Sequence, residues 1–259
     1  WISKDFQFHT GETFKEAKIG YITLGDPGNP AVLILHGTAG SAKGMLGKDF
    51  GGELFQAGQP LDANKYFIII PDAIGVGKSS KPSDGLKAQF PRYNYNDMVL
   101  GQYRLVSEGL GVKHLKLVLG NSMGGMQTWL WGTNYPGYAD YLVPMASTPS
   151  AMSGRNWMMR RFISESIRRD PAWNGGNYEV QPKGAHLASV FYPFATTGGN
   201  QRLQRLAPDS DKADAIVNER LNTPLAMDAN DFLYQWESSR DFNPGPDLEK
   251  IKAKVLVIN

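Results

Sequence analysis

The chain contains no cysteine, which excludes disulfides, thiolate catalysis and cysteine metal sites. It also lacks a long apolar run. A stretch such as Tyr66 to Ile70 is far too short to span a bilayer, so no membrane partner is expected. Neither sign of charge dominates, with 27 Lys and Arg against 25 Asp and Glu, a net charge of +2. No basic run is long enough to suggest a nucleic-acid surface or an anionic membrane. Histidine is scarce, with four in the chain, so an imidazole base within it must be His9, His36, His114 or His186. Internal repeats and low-complexity tracts are absent. No methionine precedes Trp1, which predicts a processed or trimmed form from which any secretory signal is already gone. The compartment stays open between cytoplasmic and periplasmic or secreted.

What is present points to an α/β fold. With 41% hydrophobic residues in 259, the chain can bury a large core, and it fits one α/β domain with an insertion. Short apolar strands alternate with helical patterns, which predicts a mostly parallel central sheet with helices on both faces. Asp5 to His9 and Ala17 to Leu24 read as an opening antiparallel hairpin. Ala31 to Leu35 and Tyr66 to Ile70 are continuous apolar runs suited to buried strands. Leu115 to Leu119, Tyr141 to Met145 and Lys254 to Ile258 read as further strands, and Asn96 to Leu110 as a helix stopped by Gly111. From Ser150 to about Gly245 the alternation breaks. That segment carries helical patches around Trp157 to Arg169, Asp211 to Leu221 and Asp228 to Ser238. The domain reading is therefore a core over 1–149, a mainly helical cap over 150–245, and a return to the core over 246–259. A cap in that position lies over the carboxyl edge of the sheet, where ligands bind in this architecture.

The sharpest chemical signal is Gly120-Asn121-Ser122-Met123-Gly124, which follows a strand and precedes a helix. In that context G-x-S-x-G reads as a nucleophile elbow, with Ser122 held exposed on strained backbone and glycines admitting the neighbouring strand and helix. His36-Gly37-Thr38-Ala39-Gly40 follows the Ala31 to Leu35 strand. Acyl transfer builds negative charge on the former carbonyl oxygen, and preorganised amides stabilise it. A glycine such as Gly37 lets the loop come close to substrate. His36 is read as a loop histidine that bonds backbone and shapes this loop. Phe67 to Ser79 imitates a strand followed by a phosphate-binding loop. However, Asp72 stands where that motif wants its first glycine, and Ser80 to Gly85 is a turn run rather than a helix. This segment is read as a glycine turn bordering the cleft.

Three motifs, H-G-x-x-G, D-x-x-G-x-G-x-S and G-x-S-x-G, stand in that order, and with them the chain resembles the α/β-hydrolase superfamily. Within it the chain is most similar to the homoserine O-acetyltransferase-like group. Gly120 to Gln127 resembles that group's G-G-S-M-G-G-M-Q. Pro91-Arg92-Tyr93, Asp170 to Gly176 and Asp228 to Tyr234 resemble its P-R-F, D-P-x-W-x-G-G and D-A-N-x-[FY]-L-Y stretches. The resemblance implies an α/β-hydrolase fold, Ser122 as nucleophile, and an oxyanion hole built from the backbone N–H groups of Met123 and Thr38. Two departures stand out. The group has H-A-L-T-G at the oxyanion loop, and its cap carries arginines where this chain runs Phe191 to Gly199 with none until Arg202. A guanidinium to hold a homoserine carboxylate bidentately is therefore missing from that stretch.

In this fold the triad acid and then the histidine follow the strand that matches Lys254 to Ile258. Both are expected on polypeptide after Asn259 or on a second polypeptide. The functional expectation is a serine enzyme forming an acyl-Ser122 intermediate on a small-molecule ester or acyl substrate. It would be an ester hydrolase first, an acyl-CoA-dependent O-acyltransferase second, and an inactive α/β-hydrolase-like fragment or binding protein third. No metal or cofactor is expected, apart from acetyl-CoA as co-substrate of a transferase, and a homodimer is an open possibility. Arg92, Trp157, Tyr234 and Asp241, with Asp72, are the expected cleft residues, although Trp157 and Tyr234 also suit plain core packing.

Overall fold

The computed structural model describes residues 1–196 and 200–259. Chain order begins with strands β1 (Ile2–Gln7), β2 (Thr13–Lys18), β3 (Tyr21–Leu24) and β4 (Ala31–Leu35), then the short helix α1 (Gly51–Leu54) and β5 (Phe67–Pro71). Next come α2 (Tyr95–Arg104), β6 (Leu115–Asn121), α3 (Met123–Asn134) and β7 (Ala139–Met145). Helices α4 (Gly154–Arg168), α5 (Lys183–Thr196), α6 (Asn200–Leu206), α7 (Ser210–Asn222) and α8 (Ala229–Glu237) precede the last strand, β8 (Lys254–Val255).

Six strands form one sheet in the order β3-β5-β4-β6-β7-β8. Only β3, at the edge, runs antiparallel, against β5, and the remaining neighbours are parallel. Side-chain alternation along the central strands feeds two cores. Ala31, Leu33, Leu35, Phe67 and Ile69 pack with α2 and α3 residues such as Met98, Val99, Met126 and Trp131. Val32, Ile34, Ile68 and Ile70 pack with Met45, Phe55 and Leu61 on the other face. This period of two explains why β4 and β5 read as unbroken apolar runs: both of their faces are buried.

Three boundaries differ from the sequence reading. The opening hairpin is β1 with β2, in the register Phe6↔Phe14, and forms a separate two-stranded sheet. Ala17 to Leu24 is therefore not one strand. The chain crosses at Gly20, where a Cβ would lie 2.7 Å from the Lys78 Cβ, and β3 then joins the large sheet. Helix α2 begins at Tyr95 behind a capping box, in which Asn94 accepts from the Asp97 N–H and Asp97 accepts from the Asn94 N–H. It ends in a π-helical turn over Leu105–Gly109. The final strand keeps pairing past Val255, since Leu256 N–H donates to the Leu142 carbonyl and Ile258 N–H to that of Pro144.

Among the described residues, the regular structure between β7 and β8 is helical. Helices α4, α5 and α8 share a core of Ile163, Ile167, Ala185, Ala188, Phe232, Leu233 and Trp236. No described helix is long and apolar enough to cross a membrane.

Candidate active site

Ser122 sits between the end of β6 and the first residue of α3, with φ +54° and ψ −112°. A non-glycine residue in this left-handed region is strained, and only surrounding contacts hold it there. Those contacts are visible. The Ser122 N–H donates to the Met145 carbonyl at 2.9 Å, and its carbonyl accepts from Met126 N–H. A Cβ on Gly124 would stand 2.2 Å from the Leu35 carbonyl oxygen, and one on Gly120 would meet Gly124 at 2.1 Å. Helix α3 is thereby drawn against both β6 and the end of β4, which forces the sharp turn. Ser122 is half-buried, and its Oγ has no hydrogen-bond partner among the described residues.

The loop after β4 comes to this serine. A Cβ on Gly37 would lie 3.6 Å from the Ser122 Cβ, so any side chain there would occupy the space beside the hydroxyl. Three side chains fix the loop. His36 is buried; its Nδ1–H donates to the Gly37 carbonyl at 2.8 Å, and its Nε2 accepts from Ala73 N–H at 3.0 Å. Burial lowers the pKa of this imidazole, against smaller opposing effects of the Gly37 carbonyl and Asp72. Both ring nitrogens are thus engaged in shaping the loop. Asp72 is buried at the end of β5 and accepts from Ala42 N–H at 2.7 Å and Lys78 N–H at 2.9 Å, so it ties this loop to the glycine turn. Gln235 Oε1, on α8, accepts from Ala39 N–H at 2.7 Å. The Gly40 amide bonds the Gly37 carbonyl. With the amides of Ala39, Gly40 and Ala42 occupied, those of Gly37 and Thr38 are left without an acceptor among the described residues. The Met123 amide, first in α3, is in the same position.

Among the described residues, none of the four histidines is hydrogen-bonded to Ser122. Besides His36, His9 Nδ1 lies 2.6 Å from Asp97 Oδ2, His114 Nε2 lies 2.9 Å from Asp140 Oδ1, and His186 Nε2 lies 3.4 Å from the Arg220 carbonyl.

The expected cleft residues gather elsewhere. Arg92, Trp157, Tyr234 and Asp241 surround a cavity of about 410 Å³ whose lining includes none of Ser122, Met123 and Thr38. Their side chains are committed to structure. Arg92 shares the Glu237 carboxylate with Arg168 and lies over the Tyr234 ring. Tyr234 is buried, and its OH donates to the Ala88 and Phe90 carbonyls, both at 2.9 Å. Asp241 accepts from Asn94 Nδ2 at 2.7 Å, and Arg240 covers the Trp157 ring. These four line this cavity together, and Tyr234 is buried among aromatic side chains. A different cavity, of about 580 Å³, borders the loop after β4 and is lined by Ala39, Gly40, Ser41, Leu225, Met227 and Asp231 among others. Burial raises Asp231 to about 6, although the Ser83 N–H and Oγ–H both donate to it. Part of the Phe191 to Gly199 stretch, residues 197–199, lies outside the described residues. The phosphate-loop imitation is a turn: Ser79 Oγ donates to the Asp72 carbonyl and only a 3-10 turn, Pro82–Asp84, follows.

Sequence reasoning missed Gln235 and the structural work of Asp231. Ala39 and Gln235 lie 196 positions apart, so no local pattern could join them.

Residues 30–259 match the family described as alpha/beta hydrolase fold. The chain is 32% identical over 210 residues to a homoserine O-acetyltransferase of Methanohalophilus mahii, covering 73% of this chain and 43% of that protein. It is 34% identical over 291 residues to a homoserine O-acetyltransferase of Trichormus variabilis, covering 98% of this chain and 77% of that protein. An acetylester hydrolase from Corynebacterium glutamicum shares the fold with a TM-score of 0.82 at 22% identity, covering 99% of this chain and 78% of that one. The chain thus spans less than half the length of the Methanohalophilus relative.

Proposed function

Because the chain belongs to the α/β-hydrolase fold family, in its homoserine O-acetyltransferase-like group, we propose that it carries the nucleophile of an acyl-transfer enzyme working through acyl-Ser122. The observation that carries this reading is the strained Ser122 at the β6–α3 turn, with Gly37 of the neighbouring loop packed against it. Ser122 Oγ attacks the acyl carbonyl carbon as its proton passes to a base. Negative charge gathers on the carbonyl oxygen, where the free amides of Met123 and Thr38 serve as donors. The bond to the leaving group then breaks as that group takes a proton, which leaves the acyl-serine. Water completes an ester hydrolase; a hydroxyl substrate completes a transferase.

Hydrolysis is the first reading, since Phe191 to Gly199 holds no arginine to grip an amino-acid carboxylate. Transfer from an acyl-CoA is the second, favoured by relatives named as acetyltransferases. This reading needs a base at Ser122, since a serine without one is a weak nucleophile, and among the described residues none of the four histidines is hydrogen-bonded to it.

The deciding experiment runs p-nitrophenyl acetate beside acetyl-CoA plus homoserine, with the full-length protein and its Ser122→Ala variant. We expect nitrophenol release that falls by at least about 10³-fold in the variant. Faster acetyl transfer to homoserine would give the second reading. Unchanged rates in the variant on both substrates would overturn the acyl-serine itself.

A further inference from the structure

Gln235 has an environment that packing alone does not explain. It is fully buried on α8, a place where a leucine or methionine would fill the same volume. Its Oε1 accepts from Ala39 N–H at 2.7 Å, while its Nε2 is buried without a partner. A buried amide with half of its hydrogen-bonding unmet is costly, so the single bond it does make identifies what it is there for. The residue it holds is itself strained: Ala39 has φ +59°, a conformation that alanine keeps only under restraint. The same helix face reaches the neighbouring loop, because Asp231, one turn earlier, accepts from Ser83 N–H and Oγ–H.

We propose that Gln235 is a positioning residue for the oxyanion loop. By taking the Ala39 amide it fixes the peptide after Thr38 and keeps the Thr38 N–H, one residue earlier, available beside Ser122. The proposal rests on the reading that Thr38 supplies an oxyanion donor. The loop is pinned from below by His36 and Asp72, both belonging to the sheet side, and among the described residues Gln235 is its only side-chain tie to the helices between β7 and β8. Helix α8 would thereby set the hole's geometry from the opposite side of the cleft. A misplacement of about 1 Å in such a site costs on the order of 100-fold in rate.

The test uses the full-length protein with p-nitrophenyl acetate and, independently, a fluorophosphonate that phosphonylates Ser122. Gln235→Met removes the acceptor at equal length, and Gln235→Glu keeps an oxygen in its place. We expect Gln235→Met to lower kcat by about 10- to 100-fold with KM within about twofold, to slow phosphonylation in parallel, and to leave Tm near that of the parent. Gln235→Glu should recover most of the loss. Should Gln235→Met fail to fold, Gln235→Asn, which keeps the amide but falls short of Ala39, carries the same expectation. A folded variant lacking the acceptor with parental kcat, a loss confined to KM, or a Gln235→Glu as slow as Gln235→Met would each overturn the proposal. Ser122→Ala separates the two levels: if it stays active, the acyl-serine reading fails; if it is dead while Gln235→Met is unimpaired, only the clamp fails.

Discussion

At the residue scale, two buried titratable groups pull stability in opposite directions with pH. Burial lowers the His36 pKa, so between the folded value and about 6.5 the unfolded chain binds more protons. Stability from this group is present above about pH 6.5 and is lost as pH falls. Asp231 behaves the other way. Its folded value of about 6 lies above the unfolded 3.8, so its folded form binds the proton more readily, and stability falls as pH rises from about 4 to 6. Urea unfolding across pH 4.5 to 7.5 separates them. Asp231→Asn should remove the fall and stabilise the protein at pH 7 by about 1–3 kcal/mol. His36→Asn should flatten the loss on acidification while costing about 1–3 kcal/mol at pH 7, because the Gly37 and Ala73 bonds weaken. A Asp231→Asn protein with the parental pH slope would show that Asp231 ionises freely.

At the element scale, α8 is bound to the core rather than laid over it. Four of its side chains reach across: Asp231 to Ser83, Tyr234 to the Ala88 and Phe90 carbonyls, Gln235 to Ala39, and Glu237 to Arg92. Through α8 the segment between β7 and β8 is thereby tied to the core. Tyr234→Phe is accordingly expected to lower stability by about 1–2 kcal/mol with KM unchanged; a KM shift at unchanged stability would return Tyr234 to the substrate site. The α3 terminus makes a harder demand. Gly124→Ala would drive a Cβ to 2.2 Å from the Leu35 carbonyl oxygen, in rigid backbone. We expect a loss of more than about 3 kcal/mol, or no soluble protein, by thermal unfolding. The strand-turn-helix grammar around Ser122 was legible because it is local, and glycines at 120 and 124 announce close approach. The Ala17 to Leu24 break was not, since only contact with Lys78 and Ser79 splits that run between two sheets.

At the scale of the whole molecule, Ser122 and the loop after β4 lie side by side, while each of the four histidines is hydrogen-bonded to another group. Residues 1–259 alone are therefore expected to react with a fluorophosphonate at Ser122 at least about 10³-fold more slowly than a protein in which the proposed histidine and acid are also present. Intact-mass measurement reports the labelling directly. Equal rates would show that His36 or His186 can reach Ser122 after rearrangement.

The sequence by itself determined the sheet, the elbow and the order of the loops. These follow from properties of neighbouring residues: two-sided apolar runs for β4 and β5, glycines flanking Ser122, and a glycine-bearing loop directly after a buried strand. Only the tertiary structure decided what those loops are tied to. Arg92, Trp157, Tyr234 and Asp241 had the right chemistry for a cleft, yet they meet around a cavity that Ser122 does not line. Gln235 had no signal at all, yet its Oε1 takes the Ala39 amide of the loop after β4. Hydrogen bonds between residues 196 positions apart depend on how helices dock on a sheet, and that docking is set by the summed burial of many side chains rather than by any pattern near either partner.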